Sequence, residues 1–283
     1  MRKVKALLEV IKFEHTIFAL PFALSSLLLL VNKPPSPTKV VLIILALIFA
    51  RTAGMAFNRW LDFDIDQKNP RTKNWAHIRG EISLETVKLT AIFSSAAFIV
   101  TAALINNLAL LLSPIVIFLL WFYPLAKRIT YSPHAVLGLV YFLIPVAVDV
   151  AVNERISLLA LVLGFAMASW VFGFDILYAL QDYEFDKKHG VKSLPVKLGI
   201  ENAIKVARLS HLLTFLSLLS VGFLHPKMGT IYFLGILLLA LFLIYEHSLI
   251  KPNDLSKLNK AFFTVNGWIS VVYFLVVLLD YLF

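Results

Sequence analysis

The chain has 283 residues, 60% of them hydrophobic and 15% charged, with a mean hydropathy of +0.84. Soluble domains carry about 25% charged residues, so the composition excludes a soluble globular protein and predicts a polytopic membrane protein. There is no cysteine, which excludes disulfides, thiolate metal sites and a cysteine nucleophile.

In chain order, apolar runs predict nine spans, at roughly 15–31, 40–58, 84–105, 108–125, 134–152, 157–178, 203–224, 229–247 and 262–281. The opening Met1–Lys5 followed by Ile17–Val31 has the outline of a signal peptide. No small-x-small cleavage site closes it, because Val31-Asn32-Lys33-Pro34 follows, so it reads as a retained first span. The Pro-rich stretch 34–37 reads as an outer turn between the first two spans. No low-complexity tract or long linker divides the chain, so a single membrane domain over 1–283 is expected.

The net charge of +9 raises nucleic acid as a partner, but the placement of the charges removes it. Of the 26 Lys and Arg residues, 21 fall in the N-terminal segment or follow the even-numbered spans. Lys33, Lys39, Arg155 and Lys227 lie in the opposite connections, and Arg51 lies within a span. The positive-inside rule then puts the N-terminus in the cytoplasm and, with nine spans, the C-terminus outside. In a prokaryote the membrane would be the plasma (inner) membrane.

Two aspartate clusters interrupt the apolar chain. The first is Asn58, Asp62 and Asp66, the second Asp175, Asp182 and Asp186, and both end even-numbered spans on the cytoplasmic side. Their offset of 120 residues fits a duplicated four-helix unit. The expected fold is therefore all-α: nine transmembrane helices around a central cavity, arranged as two pseudo-repeated four-helix units plus a ninth helix.

At 100° per residue, Asn58, Asp62 and Asp66 fall within one stripe with Arg51, whereas Asp64 falls on the far side. Likewise Asp175, Tyr178, Asp182 and Asp186 share a face that Glu184 does not. Stacked carboxylates repel, and a charge inside a membrane helix costs about 2.5–3.5 kcal/mol on insertion scales. Oxygen-only ligands favour a hard divalent cation, and Mg²⁺ usually arrives with a substrate phosphate. The plainer reading, helix-end acids paired with nearby lysines, explains a single acid better than two matched faces. Arg51 lies deeper than the acids, where an arginine is costly unless it pairs or binds an anion. Asp149 and Asn266 read as structural hydrogen-bonders, and Lys12, Glu14 and His15 as residues bordering the cavity.

The pattern resembles the UbiA superfamily of intramembrane aromatic prenyltransferases. The first motif reads Asn58-Arg59-Trp60-Leu61-Asp62-Phe63-Asp64-Ile65-Asp66. The second reads Asp175-Ile176-Leu177-Tyr178-Ala179-Leu180-Gln181-Asp182-Tyr183-Glu184-Phe185-Asp186. The family's Y-P-x-x-K-R segment is similar to Tyr123-Pro124-Leu125-Ala126-Lys127-Arg128. One loop departs: where the family continues R-T-x-N-R-P, this chain has Arg71-Thr72-Lys73-Asn74-Trp75-Ala76-His77.

The resemblance implies Mg²⁺-dependent transfer of a polyprenyl group from its diphosphate to an aromatic acceptor, with release of pyrophosphate. It implies Asp62, Asp66, Asp175, Asp182 and Asp186 as catalytic residues, with Asn58, Asp62, Asp66, Asp182 and Asp186 holding the metal. Arg71, Lys127 and Lys192 would neutralise the diphosphate, and Tyr178 would meet the allylic cation or phosphate; Arg51, by its depth on the same stripe as Asn58 and Asp62, would bind the acceptor's carboxylate. The prenyl tail would run toward membrane lipid, and no protein partner is implied. The opening Lys12-Phe13-Glu14-His15 looks most like the branch that prenylates 4-hydroxybenzoate, and the related enzymes acting on a dihydroxynaphthoate, in ubiquinone and menaquinone synthesis. A non-carboxylate acceptor is the alternative. A cation-coupled transporter would place its acids near the midplane, and a CDP-alcohol phosphotransferase would show D-G-x-x-A-R, absent from both clusters.

Overall fold

The computed structural model describes residues 2–12 and 16–283, which leaves Glu14 and His15 outside the described residues. Among those described, the chain is helical throughout and has no β-strand. The helices are α1 (Arg2–Val10), α2 (Thr16–Leu30), α3 (Pro37–Leu61), α4 (Phe63–Asp66), α5 (Leu84–Ile105), α6 (Asn107–Ile129) and α7 (Pro133–Asn153). They continue with α8 (Leu158–Ala179), α9 (Tyr183–His189), α10 (Leu194–Leu198), α11 (Ile200–Leu224), α12 (Thr230–Leu249) and α13 (Asn266–Leu282). A 3₁₀ turn, Leu180–Asp182, joins α8 to α9, and a π-helical segment, Lys260–Val265, leads into α13.

Local chemistry sets the helix starts. Ser36, Ser83 and Ser157 each accept the backbone N–H three residues on, and Pro37 and Pro133 stand where a helix needs no amide donor. Pro114, Pro124 and Pro145 sit inside helices, as membrane helices tolerate. Among the described residues eight helices are long and apolar enough to cross a membrane, and large apolar side chains such as Phe93, Leu111 and Phe223 stand exposed on them. This is an integral membrane protein. The first expected span is a shorter helix whose apolar part is Phe18–Leu30, so the count of nine full spans is not reached by length alone.

The helices form two compact units, and the division differs from the expected four-plus-four arrangement with a ninth helix. The first unit holds α1 and α3–α6, the second α2 from Ile17 together with everything from Thr130 onward. In the first, α3 packs on α5 and α6, and Gly54 lets Leu120 approach to where a Cβ would be 2.9 Å away. In the second, α8 is the most buried span and lies between α7 and α11. There α2 is held by its ring Phe22, which stacks on Trp170 at 5.2 Å and on Tyr273 at 4.7 Å. Asp149, fully buried, accepts from Asn153 Nδ2 and the Ser157 amide, each at 2.7 Å.

Both aspartate motifs sit at helix breaks that the straight-helix arithmetic did not contain. Asp62 ends α3 with φ −98°, ψ 3°, and Asp182 ends the 3₁₀ turn with φ −101°, ψ 6°. Each is followed by a short helix carrying the next acid, so the 120-residue offset recurs in backbone conformation. These dihedrals lie in the sparsely allowed bridge region, where active-site residues are often found.

Candidate active site

In the first unit the helical bond pattern survives the break. The Asp62 amide donates to Asn58 O at 3.0 Å and the Asp66 amide to Asp62 O at 2.8 Å, so the two acids stay one turn apart. Asp62 is 1% exposed and Asp66 6%, whereas Asp64 is exposed. The expected separation of faces therefore holds. Asp64 is taken up by Arg128, whose guanidinium meets both of its oxygens at 3.1 and 2.7 Å and also donates to Leu61 O. That contact holds the Asp64 carboxyl below the usual carboxylate range.

Asp62 Oδ2 receives Lys127 Nζ at 2.5 Å and Asn58 Nδ2 at 3.1 Å, and Asn58 Oδ1 in turn accepts from Arg59. Its other oxygen, Oδ1, and Asp66 Oδ2 are buried with no hydrogen-bond partner. Arg59 and His77 stand off Asp66 Oδ2 at 3.9 and 3.6 Å. Two buried carboxylate oxygens without donors, at the end of a membrane helix, are costly as they stand. They fit a hard cation that needs oxygen ligands. Among the described residues no three His, Cys, Asp or Glu side chains form a metal-ready cluster, and Mg²⁺ commonly takes some of its ligands from substrate phosphate and water.

Burial raises the Asp62 carboxyl above its ordinary value, Lys127 works against that, and Asp66 adds to it. A protonated carboxyl is no metal ligand, so affinity for Mg²⁺ should rise with pH as Asp62 loses its proton. The Mg²⁺ concentration that half-saturates prenyl diphosphate binding is expected to fall as the pH rises above the ordinary carboxylate range. Lys127→Met removes the group that lowers the Asp62 value, so the same dependence should move to higher pH. The diphosphate's own titration is common to both proteins, and identical profiles would refute the coupling.

The atypical loop supplies what the motifs did not announce. The Trp75 ring has Arg59 Cζ at 3.8 Å, Arg71 Cζ at 5.4 Å and Lys12 Nζ at 5.5 Å from its centre. His77 is 3% exposed and lies beside Asp66. Arg71 and Trp75 thus share one surface with the first acidic motif. Arg51, half-buried on α3, donates from one terminal nitrogen to Lys12 O at 3.2 Å, while its Nε is buried without a hydrogen-bond partner.

In the second unit Asp186 is buried, Asp182 is half-buried and Glu184 is exposed, again as the face arithmetic separated them. Gly190, at φ 70°, ends α9 and turns the chain into the basic segment that carries Lys192, whose Nζ lies 5.8 Å from the Tyr131 ring. Asp175 is engaged differently: its Oδ2 meets His134 Nδ1 at 2.7 Å. His134 Nε2 accepts the Leu194 amide at 3.3 Å, so Nδ1 carries the proton and donates to Asp175. His134 thereby ties Asp175 to the segment just after Lys192. The Tyr178 ring packs at a tilt of 33° on Phe262, with centroids 4.1 Å apart. Asp175 and Tyr178 are thus placed a turn or two before the other two acids, on the same stretch of α8 and its extension.

Residues 19–269 match the model of the UbiA prenyltransferase family. The chain is 31% identical over 251 residues to a 4-hydroxybenzoate octaprenyltransferase of Marinobacter nauticus, covering 88% of this chain and 84% of that protein. Its fold is similar to that of a UbiA homologue from Aeropyrum pernix K1, with a TM-score of 0.85, 32% identity and 94% and 98% of the two chains covered. A UbiA homologue from Archaeoglobus fulgidus bound to DMAPP and Mg²⁺ has the same fold, with a TM-score of 0.75, 21% identity and 97% and 98% coverage. The chain belongs to the UbiA prenyltransferase family and is an intramembrane prenyltransferase.

Proposed function

We propose that this protein transfers a polyprenyl group from its diphosphate to an aromatic acceptor bearing a carboxylate, of the 4-hydroxybenzoate or dihydroxynaphthoate kind, in quinone biosynthesis. The observation that carries the reading is the pair of buried, donor-free oxygens on Asp62 and Asp66 beside Lys127. The curated relative's name supports the acceptor, and the DMAPP and Mg²⁺ bound to the Archaeoglobus homologue support the donor and the metal.

In this reading Asn58, Asp62, Asp66, Asp182 and Asp186 hold Mg²⁺. When bound, the metal offsets the negative charge that builds on the departing pyrophosphate. Lys127, Arg71 and Lys192 neutralise the remaining diphosphate charge. As the carbon–oxygen bond breaks, an allylic cation forms; Tyr178 faces it, and the apolar surroundings keep out water that would capture it. Attack by the ring carbon makes the new carbon–carbon bond, and the ring proton leaves to restore aromaticity. Asp175, held by His134, fixes the start of the acidic face. Arg51 grips the acceptor carboxylate through two parallel hydrogen bonds, and the prenyl tail runs toward lipid.

A screen with one prenyl donor tests the acceptor. Carboxylated hydroxyarenes should be prenylated, and the same rings without the carboxylate should react far more slowly. Equal rates would remove the carboxylate from the proposal.

The distribution of basic residues supports a cytoplasmic N-terminus and cytoplasmic acidic motifs. A reporter after Phe283 is expected outside and one inserted between Asn69 and Lys73 inside. Both on the same side would contradict the nine-span topology.

A further inference from the structure

A polar cluster buried in the second unit is used by none of the chemistry above. Glu246 on α12 is fully buried, and its Oε1 accepts from Asn266 Nδ2 at 2.6 Å. Asn266, also fully buried, gives the same amide group to Ala261 O at 3.2 Å, and its Oδ1 accepts the Trp170 indole N–H at 2.7 Å. Every polar atom of this amide is thus used. His211 on α11 lies against Glu246 Oε2 at 3.4 Å and against Trp170 O at 3.2 Å. Its ring fits only because position 173 is glycine, since a Cβ there would overlap it.

Asn266 stands where the π-helical segment Lys260–Val265 passes into α13, and its bond to Ala261 O reaches back into that segment. A π turn holds one residue more than an α turn, so side chains within it leave the directions that an uninterrupted α-helix would give them, and Phe262 lies within this segment. The segment thereby sets the direction of Phe262. The Phe262 ring lies 4.1 Å from Tyr178, 5.4 Å from Phe174 and 5.5 Å from Phe18, centre to centre. The second arm of Asn266 acts on the same wall, because Trp170 packs edge-on to Phe174 at 5.1 Å.

We propose that Asn266, anchored by Glu246, is a positioning residue for prenyl transfer: it holds the π turn and Trp170 so that Phe262 and Phe174 back Tyr178 in a closed aromatic wall. The inference rests on the proposed reaction, in which Tyr178 meets the allylic cation. A loosened wall admits water to that cation, which then leaves as prenyl alcohol plus a proton instead of reacting with the acceptor. π turns recur at functional sites, and a fully buried carboxyl in a membrane bundle is costly to keep for helix adhesion alone.

The test uses the full-length protein in bilayer discs, with a prenyl diphosphate, Mg²⁺ and a hydroxybenzoate, and measures prenylated product, prenyl alcohol and donor affinity. Asn266→Leu and Glu246→Leu should lower kcat for transfer by about ten- to a hundredfold, the scale of a small misplacement near the chemistry. Both should raise the share of prenyl alcohol while leaving the half-saturating donor concentration within about twofold. Glu246→Gln keeps an oxygen for Asn266 to donate to and should return transfer to within about threefold of the parent. Phe262→Leu leaves the polar cluster intact and should reproduce the rise in alcohol. A folded Asn266→Leu protein with the parent's kcat and product ratio overturns the proposal, as does a loss confined to donor affinity. If Asn266→Leu does not fold, Phe262→Leu decides, and an unchanged product ratio there also overturns it. A parent protein that releases no pyrophosphate sinks the transferase reading itself, whereas a silent Asn266→Leu in an active parent sinks this inference alone.

Discussion

Asp66→Ala and Asp182→Ala are each expected to lower turnover by about 100- to 1,000-fold, the cost of losing a group that stabilises charge in the transition state. Asp66 is 6% exposed with an oxygen that meets no donor, so its removal takes away a site and breaks no hydrogen bond of that oxygen. The Asp66→Ala protein should therefore remain folded and membrane-inserted. The controls are Asp64→Ala and Glu184→Ala, on the opposite faces. Asp64 gives up only an exposed pair with Arg128, worth about 0.2–1 kcal/mol, and turnover should stay within about threefold. Steady-state rates with saturating donor and acceptor decide it. Equal losses at all four positions would contradict the assignment of ligands by face.

The second large effect is at Arg51. Arg51→Lys should raise the acceptor's KM by about 10- to 100-fold, the worth of about 1.5–3 kcal/mol in a hydrogen bond to a charged group. The donor's KM should change little, because Arg51 stands eleven residues before Asp62 on the same helix, about 16 Å along its axis at 1.5 Å per residue. Its buried Nε without a partner is the structural ground for expecting an anion. Varying each substrate in turn separates the two possibilities. A loss confined to the diphosphate would move Arg51 to the leaving-group site.

The spans were legible because each is an apolar run near the length a bilayer needs, and α3, α8 and α13 fall within a few residues of expectation. The breaks were not. Nothing in the hydrophobic pattern marks Asp62 or Leu180–Asp182 as turns, since the acid spacing looks the same on a continuous helix. The grouping of α2 with the second unit was hidden for a different reason: sequence proximity favours α3, while the stacking of Phe22 on Trp170 and Tyr273 is a long-range contact.

The acidic faces were legible from spacing alone, which separated Asp64 and Glu184 from their neighbours. His77, Trp75 and His134 were missed as site residues because a single histidine or tryptophan has no spacing partner. The only signal was the departure of the 71–77 loop from the family pattern, and that loop is where His77 and Trp75 meet Asp66 and Arg59. From the sequence alone Asn266 reads as a structural hydrogen-bonder. Its partners Glu246 and Trp170, 20 and 96 residues away, lie beyond any local pattern.

Pyrophosphate release by the purified protein reads Mg²⁺-dependent prenyl transfer without intermediary. With a prenyl diphosphate, Mg²⁺ and 4-hydroxybenzoate, pyrophosphate should appear mole for mole with prenylated acceptor. EDTA should stop both, and added Mg²⁺ should restore them. Pyrophosphate formation that persists in EDTA, or prenyl alcohol as the sole organic product with every carboxylated acceptor offered, would contradict the account.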